Sequence, residues 1–167
     1  SLYVKCLSLI INKFATLDPE GMGIEMEANK PGWNDAMNGL PGLFGSGLSE
    51  TLELKRLIEF VLDVSKEYRH HKVSVPEELF VLMTQINQSL EQLLTNQVSQ
   101  FAYWNDVNNA KEAFWEKTRF GISGVEEELS VEELIPTLER WYNKIINGIN
   151  KAKEMGKGIY PTYFVYD

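Results

Sequence analysis

At 167 residues, with 44% apolar and 24% charged side chains, the chain suits one packed domain and is too apolar for wholesale disorder. A formal charge of −8 leaves no basic excess to neutralise phosphates or anionic lipid, which argues against nucleic-acid and membrane partners. Cys6 is the single cysteine and lies in an apolar run, so it reads as core packing, no internal disulfide forms, and a reducing, cytoplasmic setting is expected.

The first element in chain order is a helix over 3–16, where Val4, Leu7, Ile10, Ile11 and Phe14 recur at helical spacing and Asp18-Pro19-Glu20-Gly21 stops the run. The chain opens almost directly into this helix with no initiating Met, as a piece of a longer protein would. Residues 17–47 differ in kind: they carry seven of the twelve glycines, together with Met22, Ile24, Met26, Trp33, Met37, Leu40, Leu43 and Phe44. A connection this long is usually functional or disordered, and its apolar content predicts an ordered, packed loop.

Beyond it the pattern is helical. A helix is expected from Ser49-Glu50 to about Tyr68, with Leu54, Leu57, Ile58, Val61 and Leu62 on one face. Ser74-Val75-Pro76-Glu77 reads as a capping box opening a helix to about Val98. Asp106 is the expected cap of a shorter helix to about Thr118. Ser130-Val131-Glu132-Glu133 reads as a second capping box, opening a helix to about Met155, with Pro136 just inside it and Gly156 as its stop. The acidic run Glu126-Glu127-Glu128 reads as a solvated approach to that helix, Gly121 to Gly124 as a turn, and Ile159 to Asp167 as an extended tail. His70 and His71 are adjacent, do not share a helical face, and have no Cys or acid cluster beside them, so no metal site is expected. The class is all-α: a single helical domain over 1–167.

Residues 31–38 carry the chemistry. Pro-Gly-Trp-Asn-Asp-Ala-Met-Asn sets an indole, an amide and a carboxylate side by side. Sugar sites use those parts: an aromatic face packs on the pyranose, amides and carboxylates bind hydroxyls, and a carboxylic acid protonates a leaving glycosidic oxygen. The plainer alternative is that Asn34 or Asp35 caps a short helix while Trp33 fills the core.

Trp33-Asn34-Asp35-Ala36-Met37-Asn38 resembles the Trp-Asn-Asp-Gly-Met-Asn motif of the cellobiose-type glycoside phosphorylases, within the (α/α)6-barrel glycoside hydrolases and phosphorylases. The surrounding order over about 1–62 is also similar: a helix, a Gly-containing loop, the motif, then a glycine-rich turn into a barrel helix. The resemblance implies a helical fragment of an (α/α)6 barrel, with 1–62 as the barrel-like part and 65–158 as a helical insertion. It implies Asp35 as general acid, Trp33 lining the sugar subsite, and Asn34 and Asn38 positioning hydroxyls or the acid. Glu27 is a candidate substrate contact, and Glu25 and Glu50 are the other nearby carboxylates. No cofactor is implied, with inorganic phosphate as the candidate co-substrate. Gly32 and Ala36 depart from the family's usual Asp and Gly. The expected partners are an oligosaccharide and the rest of the parent catalytic domain. A fragment would leave apolar surface exposed, so self-association is expected, as is inactivity in isolation. The competing expectation is a non-catalytic helical binding or scaffolding module.

Overall fold

A computed structural model describes residues 1–25 and 45–165. The site residues expected from sequence, Glu27, Trp33, Asn34, Asp35 and Asn38, lie outside the described residues. The protein is mainly helical, with two small antiparallel sheets.

Helix α1 (Leu2–Phe14) is capped by the Ser1 hydroxyl, which accepts from the Val4 N–H, and it buries Leu7, Ile10, Ile11 and Phe14 at the predicted spacing. Strand β1 (Ile24–Glu25) follows, and strand β2 (Gly45–Gly47) leads straight into α2 (Leu48–Glu67). α1 packs on α2. The fully buried Ser65 hydroxyl joins them, donating to the Val61 carbonyl at 2.6 Å while it shares a 2.8 Å hydrogen bond with the Tyr3 hydroxyl. Burial holds the Tyr3 phenol above its ordinary range, so it remains a neutral partner for Ser65.

Two strands stand where the sequence suggested caps and solvated turns. β3 (Lys72–Pro76) runs into α3 (Glu77–Leu94), and β4 (Glu126–Ser130) runs into α5 (Val131–Met155). They pair antiparallel from Lys72↔Ser130 to Pro76↔Glu126. Ser74 is therefore a strand residue opposite Glu128, and no side-chain hydrogen bond caps α3. Ser130 does precede α5 as expected, but its hydroxyl makes no capping bond. The ribbon itself supplies the missing acceptors: the first N–H of α3 bonds to the Val125 carbonyl at 3.0 Å and that of α5 to the His71 carbonyl at 3.0 Å.

The α4 helix (Gln100–Thr118) begins seven residues earlier than Asp106 as its cap would set it, because the Ser99 hydroxyl caps it by accepting from the Ala102 N–H at 3.1 Å. α3 and α4 form a helical hairpin, and α5 packs along α2. Gly156 ends α5 as expected, where a Cβ would collide with the Ile159 carbonyl. One continuous core contains Phe14 and Leu48 from the first third of the chain, Ile86 and Tyr103 from the middle, and Leu138 and Trp141 from α5. Trp141 is completely buried, stacked on Phe14 with ring centroids 4.3 Å apart, and its indole N–H donates to Asn87 at 2.8 Å. The tail ends in β5 (Tyr163–Val165), which joins the second sheet in the order β1-β2-β5.

Candidate functional site: the base of the 26–44 segment

The motif segment leaves and re-enters the described structure at a narrow neck. Glu25 and Ser46 are opposite one another in the β1–β2 pair, and Gly45 is paired on its other side with Val165 of β5. Residues 26–44 thus connect two strands that are already hydrogen-bonded together.

The neck rests on a turn at 18–23. The chain doubles back there, with Leu17 bridged to Ile24 and the Asp18 N–H donating to the Gly23 carbonyl at 2.8 Å. Gly21 takes φ +74°, a left-handed backbone that any side chain would strain. Asp18 is 2% exposed, yet its carboxylate is saturated: Oδ1 accepts from Met22 N at 2.9 Å, and Oδ2 from Gly23 N and the Ser46 hydroxyl, each at 2.7 Å. A buried carboxylate with three donors is a stable structural group. One of those donors belongs to β2, so Asp18 ties the two ends of the segment together. From below, α5 meets the turn at Gly148, where a Cβ would collide with the Gly21 carbonyl oxygen. Beside it Lys144 reaches the Pro19 carbonyl at 3.4 Å and the Gln100 amide oxygen at 2.9 Å. Burial pushes the Lys144 ammonium down to about 8, against the pull of Glu20 and Asp18.

Glu25, the last described residue before the segment, is held by α4. Trp104 donates its indole N–H to Oε1 at 2.7 Å, and Lys111 reaches Oε2 at 2.9 Å. Lys111 is 3% exposed and lies 5.0 Å from the Trp115 ring centroid. The indole and the ammonium together engage both carboxylate oxygens of Glu25. With both oxygens engaged, Glu25 is poorly suited to take a proton from water. Glu50, the other sequence candidate in the described residues, sits in the first turn of α2 and pairs with Lys13 at 2.7 Å, a half-exposed contact that suits a helix N-terminus.

Sequence reasoning missed Asp18, Trp104, Lys111 and Lys144. Asp18 was read as part of a helix stop, and the Asp-Pro-Glu-Gly composition does signal a turn without revealing what the carboxylate binds. For Lys111 a signal existed: Tyr103, Val107 and Lys111 recur every four residues, so the buried face of α4 runs onto a lysine. Trp104 is only partly buried and serves as a donor to Glu25, whereas Trp141 is the core residue the helical pattern suggested.

Among the described residues, no group of three or more His, Cys, Asp or Glu side chains could hold a metal, and no helix is long and apolar enough to cross a membrane. No protein-family model matches the chain, and neither does any curated protein.

Proposed function

We propose that the chain is a piece of an (α/α)6-barrel enzyme that cleaves glycosidic bonds of oligosaccharides in the cytoplasm, with Asp35 as the general acid. The observation that carries this reading is the run Trp33-Asn34-Asp35-Ala36-Met37-Asn38 and its likeness to the phosphorylase motif. Trp33 would pack on the sugar, Asn34 and Asn38 would orient it, and Asp35 would protonate the departing oxygen. The neck supports the reading in a limited sense. An acid must be held in place to act, and the segment that bears Asp35 is rooted on paired strands and a buried, saturated carboxylate.

The cleavage is either phosphorolysis or hydrolysis, and the two differ in the carboxylates they need. An inverting hydrolase needs a second, proton-accepting carboxylate about 6.5–9.5 Å from the acid, whereas in a phosphorylase phosphate itself attacks. Glu25 is engaged on both oxygens by an indole and an ammonium, and Glu50 is paired with Lys13. The remainder of the parent catalytic domain would pack where α1 and α2 leave Leu2, Leu9 and Phe60 exposed. Residues 65–158 would then be an insertion on the barrel. The same apolar surface would drive self-association of the chain alone.

One observation favours a second reading, a helical binding or scaffolding module: the core runs without a break from α1 through α5. The deciding experiment uses the longest natural chain containing this segment, incubated with a panel of disaccharides with and without phosphate, beside Asp35→Asn. Sugar 1-phosphate formed only with phosphate, and lost in the variant, would establish a phosphorylase with Asp35 as its acid. Free sugar in both conditions would indicate hydrolysis. Full activity in Asp35→Asn, or no turnover of any sugar, would leave the module.

A further inference from the structure

A groove of about 600 Å³ lies between α5, the start of α4, Glu20 of the 18–23 turn and an apolar wall of Leu93, Leu94 and Val98 at the end of α3 and its connection to α4. Its α5 wall is built from Arg140, Asn143, Lys144, Asn147 and Lys151, which fall on one helical stripe. Ser99 and Gln100, which open α4, form the facing wall, so the positive end of a 19-residue helix borders the same space. Three cationic side chains meet a single lining carboxylate there, Glu20, which is already paired with Lys151 at 2.5 Å. This local excess of positive charge stands on a chain whose formal charge is −8.

From this arrangement we infer that the groove is a binding site for a small organic oxyanion, a carboxylate or a phosphate monoester, held by Arg140 and Lys144 with Asn143, Asn147 and Gln100 hydrogen-bonding its uncharged body. Arg140 is exposed and its guanidinium makes only a 3.5 Å contact with the Thr137 hydroxyl, so its fork is available for bidentate recognition. Lys144 is buried at the groove wall with two neutral acceptors, the Pro19 carbonyl and the Gln100 amide, and Lys151 adds a like charge beside it. An oxyanion entering the groove would add its charge to those of Glu20 and Asp18, which already act on the Lys144 ammonium, and would meet the Arg140 guanidinium directly. The exposed amides of Asn143 and Asn147 offer both donors and acceptors, which suits a body bearing hydroxyls.

The test titrates the full chain with L-malate, glycerol 3-phosphate and neutral glycerol, following side-chain amide and backbone NMR signals. Saturable shifts of the Asn143, Asn147 and Gln100 amides with an oxyanion, and none with glycerol, are expected. A response to malate alone would identify a carboxylate ligand, and a response to glycerol 3-phosphate alone a phosphate ester. Arg140→Gln removes one charge-assisted contact and should weaken binding about tenfold. Asn147→Asp, which adds a negative charge at an exposed position, should weaken it at least as much and keeps the test independent of the Arg140 variant. Shifts that fail to saturate by about 10 mM, or an affinity in both variants equal to that of the unsubstituted chain, would overturn the assignment.

Discussion

Two buried charges sit on either side of the same turn and are treated in opposite ways. Asp18 has every need met: two backbone N–H groups and a hydroxyl converge on it within 2.9 Å. Lys144 is also buried, but has one good acceptor at 2.9 Å and a second only at 3.4 Å. The first arrangement makes a rigid joint, since moving any partner strands a donor in a dry place. The second leaves a charge in partial debt, the condition in which a side chain remains responsive to pH and to ligands. A structural ion and a chemically available one are distinguished here by the count and quality of their partners, since both are deeply buried.

The contrast predicts a graded set of outcomes. Asp18→Ala should be the most damaging, because it strands two backbone N–H groups and the Ser46 hydroxyl at once. A loss of about 3–5 kcal/mol is expected, seen as a fall in Tm of roughly 10 °C. If the loss were under about 1 kcal/mol, the turn would not be the joint that holds the neck.

Glu25→Gln leaves the buried Lys111 ammonium only the largely exposed Glu112 carboxylate at 3.7 Å and should cost about 2–4 kcal/mol. Glu25→Gln combined with Lys111→Met should recover most of that loss, and a denaturant titration of the double-mutant cycle reads both.

Lys144 gives a pH signature of the opposite sense from that of a favourably paired lysine. The unfolded chain keeps this proton to about 10.5, whereas the folded chain releases it at about 8. Between these values the unfolded state binds more protons, so stability rises with pH, by about 2–3 kcal/mol across the window. Burial sets the shift; Glu20 and Asp18 on the turn oppose it, Lys151 on α5 adds to it, and the Tyr103 ring of α4 faces the ammonium at 5.2 Å. Lys144→Met should flatten the slope, and urea midpoints at pH 7 and pH 10 would show it. A slope that survives the substitution would move the effect to another group.

The smallest effect belongs to the fully solvated pair Arg56–Glu53, 3.0 Å apart on α2. Arg56→Ala should change stability by less than about 0.5 kcal/mol in the same titration. A larger change would mean that exposed pairs contribute more to this acidic chain than the contrast between Asp18 and Lys144 allows.

What the sequence disclosed follows the range over which each signal acts. The apolar stripes of α1, α2, α3 and α5 are local and strong, and each helix lies where its stripe predicts. The strands were hidden by look-alikes. Ser74-Val75-Pro76-Glu77 has the composition of a capping box, and Glu126-Glu127-Glu128 that of a solvated run. The alternation in Lys72-Val73-Ser74-Val75, exposed and buried in turn, was the period-2 signal that went unused. In α4, Asn105-Asp106 places the start seven residues downstream, though Ser99 before Phe101 and Tyr103 is the better cap. The partners of Glu25 lie about eighty residues away, at Trp104 and Lys111, and no local pattern announces a contact over that distance. The residues of the Trp33–Asn38 motif remain a reading of sequence alone.

The third strand of the neck has a consequence for the order in which the molecule is assembled. β2 pairs with β1 across residues 26–44, but its other edge waits for Phe164, more than a hundred residues further along, to reach Ser46. Closing a loop of that span pays its entropy before any strand pairing returns it, so this contact belongs to the slow, late part of folding. The helical hairpins can form while the root of the motif segment is still open on one side. Chain-end mutations such as Phe164→Ala should therefore act mainly on the unfolding rate, leaving the folding rate of the helices nearly untouched.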